Sequence, residues 1–206
     1  MINYVCYDPG SGEIMHTGSC PEGMETVMPG LSFLDTGATY ATQDCYFVLN
    51  GELQQYTAPQ AALKATYPSY PSSWSNTSFS WVDQRTTAQL QAAQRAAIDA
   101  SYRTVVTADI AFTTAGGVTK MFQADPTSQT VLMQAVIGYN MAGSTPAGFC
   151  WKSSDNVMVP FTLADLQGMY AAMLTRGNTA FIERANLKAQ INAATTPAAV
   201  QATNWN

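Results

Sequence analysis

Only one residue in this 206-residue chain could serve as an imidazole base, His16, so any Ser-His or Cys-His nucleophile would have to be assembled around it. His16 lies between Met15 and Thr17 in a stretch that alternates like a strand, and no serine or cysteine motif accompanies it. The chain has no G-x-S-x-G elbow, no G-x-x-x-x-G-K-[ST] phosphate loop and no H-E-x-x-H pair. Two carboxylates brought together in space would suffice for glycoside hydrolysis. The acids to draw on are Glu13, Glu22, Glu25, Asp35 and Asp44 in the first part, and Asp83, Asp99, Asp109, Asp125, Asp155 and Asp165 further on. Most of them fall in turns or where a helix would be capped, and a carboxylate there has a structural role. The expectation is a protein that is not an enzyme, with no catalytic residues and no cofactor.

Metal and redox chemistry find little more. Cys6, Cys20, Cys45 and Cys150 contain no C-x-x-C pair, and one histidine cannot complete a zinc set, so no metal site is expected. Bridges among Cys6, Cys20 and Cys45 are open by residue type, but four cysteines are too sparse for a disulfide scaffold, and reduced thiols are the preferred reading. The remaining chemistry is recognition. Tyr67, Tyr70 and Trp74, followed by Phe79 and Trp81, concentrate flat aromatic faces in a Pro/Ser-rich stretch. Such faces join apolar area to a polar rim and suit a glycan or partner contact, a host-surface glycan included. The alternative is that they anchor this stretch to the body of the protein.

The elements that must position these residues begin with β-structure. Asn3–Tyr7 and Glu13–Thr17 flank the turn residues Asp8-Pro-Gly-Ser-Gly12. Cys45–Leu49 and Glu52–Tyr56 flank Asn50-Gly51, whose tolerance of positive φ makes a type I′ hairpin. Residues 58–82 carry Pro59, Pro68 and Pro71 and read as an extended connector, with a short helix in the alanine-rich 60s. The sequon Asn76-Thr-Ser78 is taken as accidental, because no secretory leader is expected.

A helix then starts at Asp83 or Thr86, runs through Leu90, Ala97, Ile98 and Tyr102, and ends near Arg103. Thr104–Thr113 and Val118–Gln123 pair around Ala115-Gly-Gly117, and Asp125-Pro126 caps a helix with Leu132, Ala135, Val136 and Tyr139 on its apolar side. The plan recurs: Gly148–Lys152 and Val157–Phe161 form a hairpin, then Thr162 with Asp165 opens a helix as a capping box. Leu163, Leu166, Tyr170 and Met173 form its core stripe, and a bend or break is expected at Gly177-Asn178. Beyond it, Phe181, Ile182, Leu187 and Ile191 are candidate subunit contacts, and Thr196-Pro197 begins a last helix. The fold class is therefore α+β: N-terminal antiparallel hairpins over 1–57, a Pro/Ser/aromatic connector over 58–82, and a C-terminal domain over 83–206. That domain holds a helix and two hairpin-plus-helix units, its helices on one face of an antiparallel sheet.

Composition sets the partners. Hydrophobic residues make up 47% of the chain, enough for a core without staples, while only 11% are charged, well below the roughly 25% of an average globular protein. A neutral polar surface suits packing against copies or partners. The net charge of −5 and the absence of any basic run exclude nucleic acid as a main partner. No apolar run approaches 18 residues, so no membrane insertion is expected, and the N-terminus has neither the basic nor the apolar region of a secretory leader.

Several of these motifs carry a family likeness. The strand beginning at Arg103-Thr-Val, the Gly116-Gly117 hairpin, the helix after Asp125-Pro126, Trp151 leading into Phe161-Thr-Leu-Ala-Asp-Leu166, and Asn186-Leu-Lys-Ala-Gln-Ile-Asn-Ala-Ala-Thr-Thr-Pro-Ala-Ala-Val200 form one set. Tyr7–Ile14, the Asn50-Gly51 hairpin and Trp81-Val-Asp-Gln-Arg85 form another. Together they resemble tailed-bacteriophage tail-fibre or tail-fibre-associated proteins that carry a C-terminal domain of uncharacterised function. The resemblance implies a virion structural protein of the tail region, synthesised in the host cytoplasm. It would be a fibre or baseplate-associated adaptor contacting other phage tail proteins, and a homo-oligomer with a trimer favoured. A fibre-assembly chaperone, a carbohydrate-binding receptor module and a capsid decoration protein make the same demands on sequence.

Overall fold

The structure is a computed structural model and describes residues 1–25 and 27–206. It divides into two compact units, Met1–Arg85 and Thr86–Asn206.

In the first unit, β1 (Ile2–Tyr7), β2 (Ile14–Cys20) and β3 (Ser32–Gly37) form an antiparallel sheet in the order β2-β1-β3. The β1–β2 turn is held by Asp8, whose carboxylate accepts hydrogen bonds from the Gly10 and Ser11 amides and from the Ser11 hydroxyl at 2.6 Å. Those bonds hold its carboxyl below the usual range. Gly12 then passes so close to β4 (Tyr46–Leu49) that a Cβ would lie 1.9 Å from the Val48 carbonyl oxygen, and its φ is +71°. Only glycine fits. β4 pairs with β5 (Glu52–Gln55) across Asn50 and Gly51, both at positive φ, as the sequence requires.

The stretch read as a connector carries structure of its own. α1 (Ala58–Ala65) is followed by a hairpin of β6 (Ser72–Ser75) and β7 (Ser80–Asp83), in which Trp74 faces Trp81. Cross-strand aromatic pairing supplies the ladder that Pro68, Pro71 and the serines did not suggest. β3 also went unread, lying between the turn signals of Pro29-Gly30 and Gly37.

In the second unit, α2 (Thr87–Thr107) starts on a Thr86–Gln89 capping box and precedes the hairpin β8 (Ile110–Thr113) and β9 (Thr119–Phe122). α3 (Pro126–Ala142) is capped by Asp125, and the hairpin β10 (Cys150–Lys152) and β11 (Met158–Pro160) leads into α4 (Leu163–Ala193) and α5 (Pro197–Ala202). N-terminal hairpins, a connector with its helix, and then hairpin followed by helix make up the α+β architecture anticipated above. The two hairpins of this unit are separate two-stranded ladders; an amide of Ser154 donates to the Met121 carbonyl at 2.8 Å where they approach.

Two expectations are corrected here. α2 does not end near Arg103: Thr104–Thr107 are helical, and the strand begins only at Ile110. The β-branched run looked like a strand, but Thr104 and Thr107 turn their hydroxyls back to the carbonyls four residues earlier, and Arg176 from α4 donates to the carbonyls of Val106 and Ala108 at the helix end. α4 runs unbroken for 31 residues through Gly177-Asn178. Packing along both flanks outweighs the roughly 1 kcal/mol that one helical glycine costs.

The α4 capping box forms as expected, and Asp165 does more than cap. One carboxylate oxygen accepts from the Thr162 amide at 2.8 Å, and the other from the Ala115 amide in the β8–β9 turn at 2.7 Å. Burial opposes its charge, but these bonds outweigh burial and hold its carboxyl below the usual range. Above it, Phe122, Leu132, Val159, Phe161, Leu166, Met169 and Met173 form the larger core. The smaller core joins Leu90, Ile98, Ile191 and Val200, so α4 is buried at both ends by different neighbours.

Candidate functional site

The sequence singled out two sets of residues for contact, and the structure splits each of them. Trp74 is 3% exposed, packed edge-on against Tyr56 and Trp81, and cannot offer its face to a glycan. Tyr70 lies under the Arg85 guanidinium, 4.4 Å from its ring centre, and that guanidinium is paired with Asp83 at 2.6 Å. Tyr67 alone of the three is open, 69% exposed, with Trp81 edge-on at 4.6 Å. The three-residue platform is therefore not formed. Tyr67 and Trp81 instead border a cleft of about 260 Å³ with Glu13, Asp44 and Lys64. Lys64 donates to the Gln43 carbonyl at 2.6 Å and to the Tyr56 hydroxyl at 3.1 Å. Burial lowers its pKa, against the pull of Glu13 and Asp44, while burial pushes the Tyr56 phenol up to about 12.

The second set divides along α4. Ile191 is fully buried against Leu90, Ile98 and Val200, and Leu187 packs beside it, so these two belong to the chain's own core. The helical pattern made them look continuous with Phe181, but α2 and α5 cover that end of α4. Phe181 and Ile182 remain half exposed, at 55% and 50%.

Phe181 forms one wall of a larger feature. An open groove of about 620 Å³ is bounded by Tyr102 and Val106 of α2, Gln129 and Met133 of α3, and Leu174 and Phe181 of α4. Gln129 is tied down by two carbonyls, those of Val106 and Ala124, at 2.8 and 2.6 Å, which fixes the start of α3 against the end of α2. No charged side chain lines the groove. At its floor, a Cβ built on Gly177 would meet nothing within 4 Å, so the space above it is open.

α3 is the unusual element. None of its 17 residues is charged. Leu132, Ala135, Val136 and Tyr139 face the core, yet the opposite side carries Met133, Ile137 and Met141 at four-residue steps, all exposed, Met141 to 85%. A helix normally turns one apolar stripe to its core and polar residues outward, and here the outward Thr130 and Gln134 share their side with these three. These residues and the groove were missed by sequence reasoning. The signal was available in the absence of any charge from Pro126 to Trp151, but one apolar face was enough to explain the helix.

Among the described residues the titratable groups are held in structural contacts. His16 rests against the Tyr4 ring, at 6.0 Å between centres. Asp99 is bonded by Lys188 and Arg184, which hold its carboxyl low, and Asp155 is held at about 2 by Lys120 and Ser153. Among the described residues no group of three or more His, Cys, Asp or Glu side chains could hold a metal ion. Cys20, Cys45 and Cys150 are free thiols, and Cys6 is buried. No helix among the described residues is long and apolar enough to cross a membrane. What the second unit offers is a surface: an uncharged groove beside an uncharged apolar ridge.

A family model described as a domain of unknown function (DUF4376) matches residues 89–204, which include the ridge and the groove. No curated protein and no solved structure matches the chain.

Proposed function

The chain belongs to the DUF4376 family, whose domain of unknown function is tail-fibre-associated in phages, and from that premise we propose that it is a structural component of the virion tail. In this reading it is a fibre or baseplate-associated adaptor that works by contact with copies of itself and with other tail proteins, as a trimer, without catalysis.

One observation carries the proposal: the family-matched region leaves an apolar, charge-free surface outside its own core. Monomeric soluble proteins seldom leave contiguous apolar patches of more than a few hundred Å² in water. A surface without charges can be buried between subunits with no desolvation of ions. The low overall charge supports the same reading.

Mass spectrometry of purified phage particles tests it. The protein should be present at a small multiple of three copies per virion. Its absence from particles that contain the rest of the tail would refute a structural role, and hundreds of copies would move it to the head.

A further inference from the structure

Ridge and groove lie side by side on one unit, with Met133 at their shared edge, and both are uncharged. Met133, Ile137 and Met141 project from α3 at i, i+4 and i+8, the spacing by which one helix offers a row of knobs to a neighbouring surface. The groove is a trough between three helices, with Leu174 and Phe181 exposed along one wall and open space over Gly177.

We infer that the groove is the seat for the α3 ridge of a second copy of this chain, with Ile137 and Met141 of one copy packing on Leu174 and Phe181 of the next. The inference rests on the proposed self-assembling tail role and names the contact responsible.

Two arguments select a second copy as the occupant. The first is electrostatic. The chain carries a net charge of −5, so like copies repel unless the surfaces that meet are free of carboxylates. The ridge and the groove walls carry none; charges of this unit are paired among themselves, as Lys120 with Asp155, and Asp99 with Lys188 and with the Arg184 whose guanidinium lies over the Tyr102 ring at the groove's edge. A partner recognised by charge would find nothing here to pair with. The second is area. The exposed parts of Ile137 and Met141 on one copy and of Leu174 and Phe181 on the next make several hundred Å² counted over both sides, the apolar centre of an interface that buries roughly 1,600 Å² in all. Because each copy has both ridge and groove, one contact can repeat head to tail and close as a ring.

Sedimentation velocity of the full chain and three variants provides the test. Ile137→Glu and Leu174→Lys each put a charge on one side of the contact; both positions are exposed in the single chain, so circular dichroism should stay at wild-type values and Tm should fall only by what assembly contributes. The wild type should sediment as a trimer and each single variant as a monomer, with at least a hundredfold weaker association. The double variant Ile137→Glu/Leu174→Lys sets glutamate against lysine at every contact and should regain the trimer. Single variants that stay assembled, or a double variant that stays monomeric, would overturn the pairing of ridge with groove. A monomeric wild type that is nonetheless present in purified particles would overturn self-assembly through this face and leave the tail role standing.

Discussion

α2 and α3 both pack on α4, and they do so by opposite means. α2 is pinned by polar side chains. Gln91 donates to the carbonyls of Ile191 and Ala194, Gln94 to that of Thr203, Arg95 to the Asn192 side chain, and Asp99 takes both Arg184 and Lys188. Leu90 and Ile98 are the only side chains of this 21-residue helix that are fully withdrawn from water. α3 has no charged residue, holds α4 through an apolar face, and turns a second apolar face outward. The contrast shows how to separate a helix face meant for its own chain from one meant for another. Where polar groups meet a neighbour within the chain, they find stated partners. The outer face of α3 carries no charge, only the neutral polar Thr130 and Gln134 beside Met133, Ile137 and Met141, so hydrophobic contact is the main interaction it can offer.

The largest effect that could break this comparison comes from its inner face. Leu132→Asp would bury a carboxylate with no counter-charge and should unfold the second unit, a loss of several kcal/mol read by urea denaturation. The same change five residues on, at Ile137, should leave the monomer within about 0.5 kcal/mol of wild type, because that position faces water until a copy arrives. Equal costs at the two positions would mean that α3 has no outer face.

Next in size are the open glycines. Gly138 on α3 and Gly177 on α4 sit in helix interiors where a Cβ would touch nothing. Alanine at either should raise stability by about 1 kcal/mol, measured as a higher urea midpoint at unchanged slope. Smallest is the ionic seam of α2. The Asp99 carboxyl is held below its ordinary range by Lys188 and Arg184. Its folded-state pKa is depressed, so its contribution is complete above the ordinary value near 3.8 and is lost as pH falls through the lower folded value. Asp99→Asn should flatten the acid limb of the stability curve slightly and weaken its dependence on salt. An unchanged acid limb would show that the seam adds nothing.

Much of the fold could be read from local chemistry, because several boundaries are set by one or two side chains. Thr162 with Asp165, Asp125 with Pro126 and Thr196 with Pro197 all start helices, and Asn50-Gly51 turns a hairpin. What could not be read depended on distant partners. Thr104–Thr107 stay helical while Gln129 and Arg176 hold the Val106 carbonyl. Ile191 and Phe181 share a helix and an apolar character, but α2 and α5 cover only the first. Trp74 lies in a serine-rich segment and is buried because Tyr56, just past β5, and Trp81 on β7 meet it. The outer face of α3 escaped notice for a related reason: periodicity reports that a helix has an apolar side, not that it has two.

The central claim is that Met133, Ile137 and Met141 are exposed in one copy and covered in the assembly, and methionine oxidation measures this on the unmodified protein. Brief peroxide treatment followed by peptide mass spectrometry gives a sulfoxide rate for each methionine. Met141 and Met133 should react readily in dilute protein and slow at least tenfold under conditions where the chain is assembled, while Met24, exposed and part of the first unit, keeps its rate throughout. If Met141 is oxidised as fast in the assembly as in the single chain, the α3 ridge is not where copies meet.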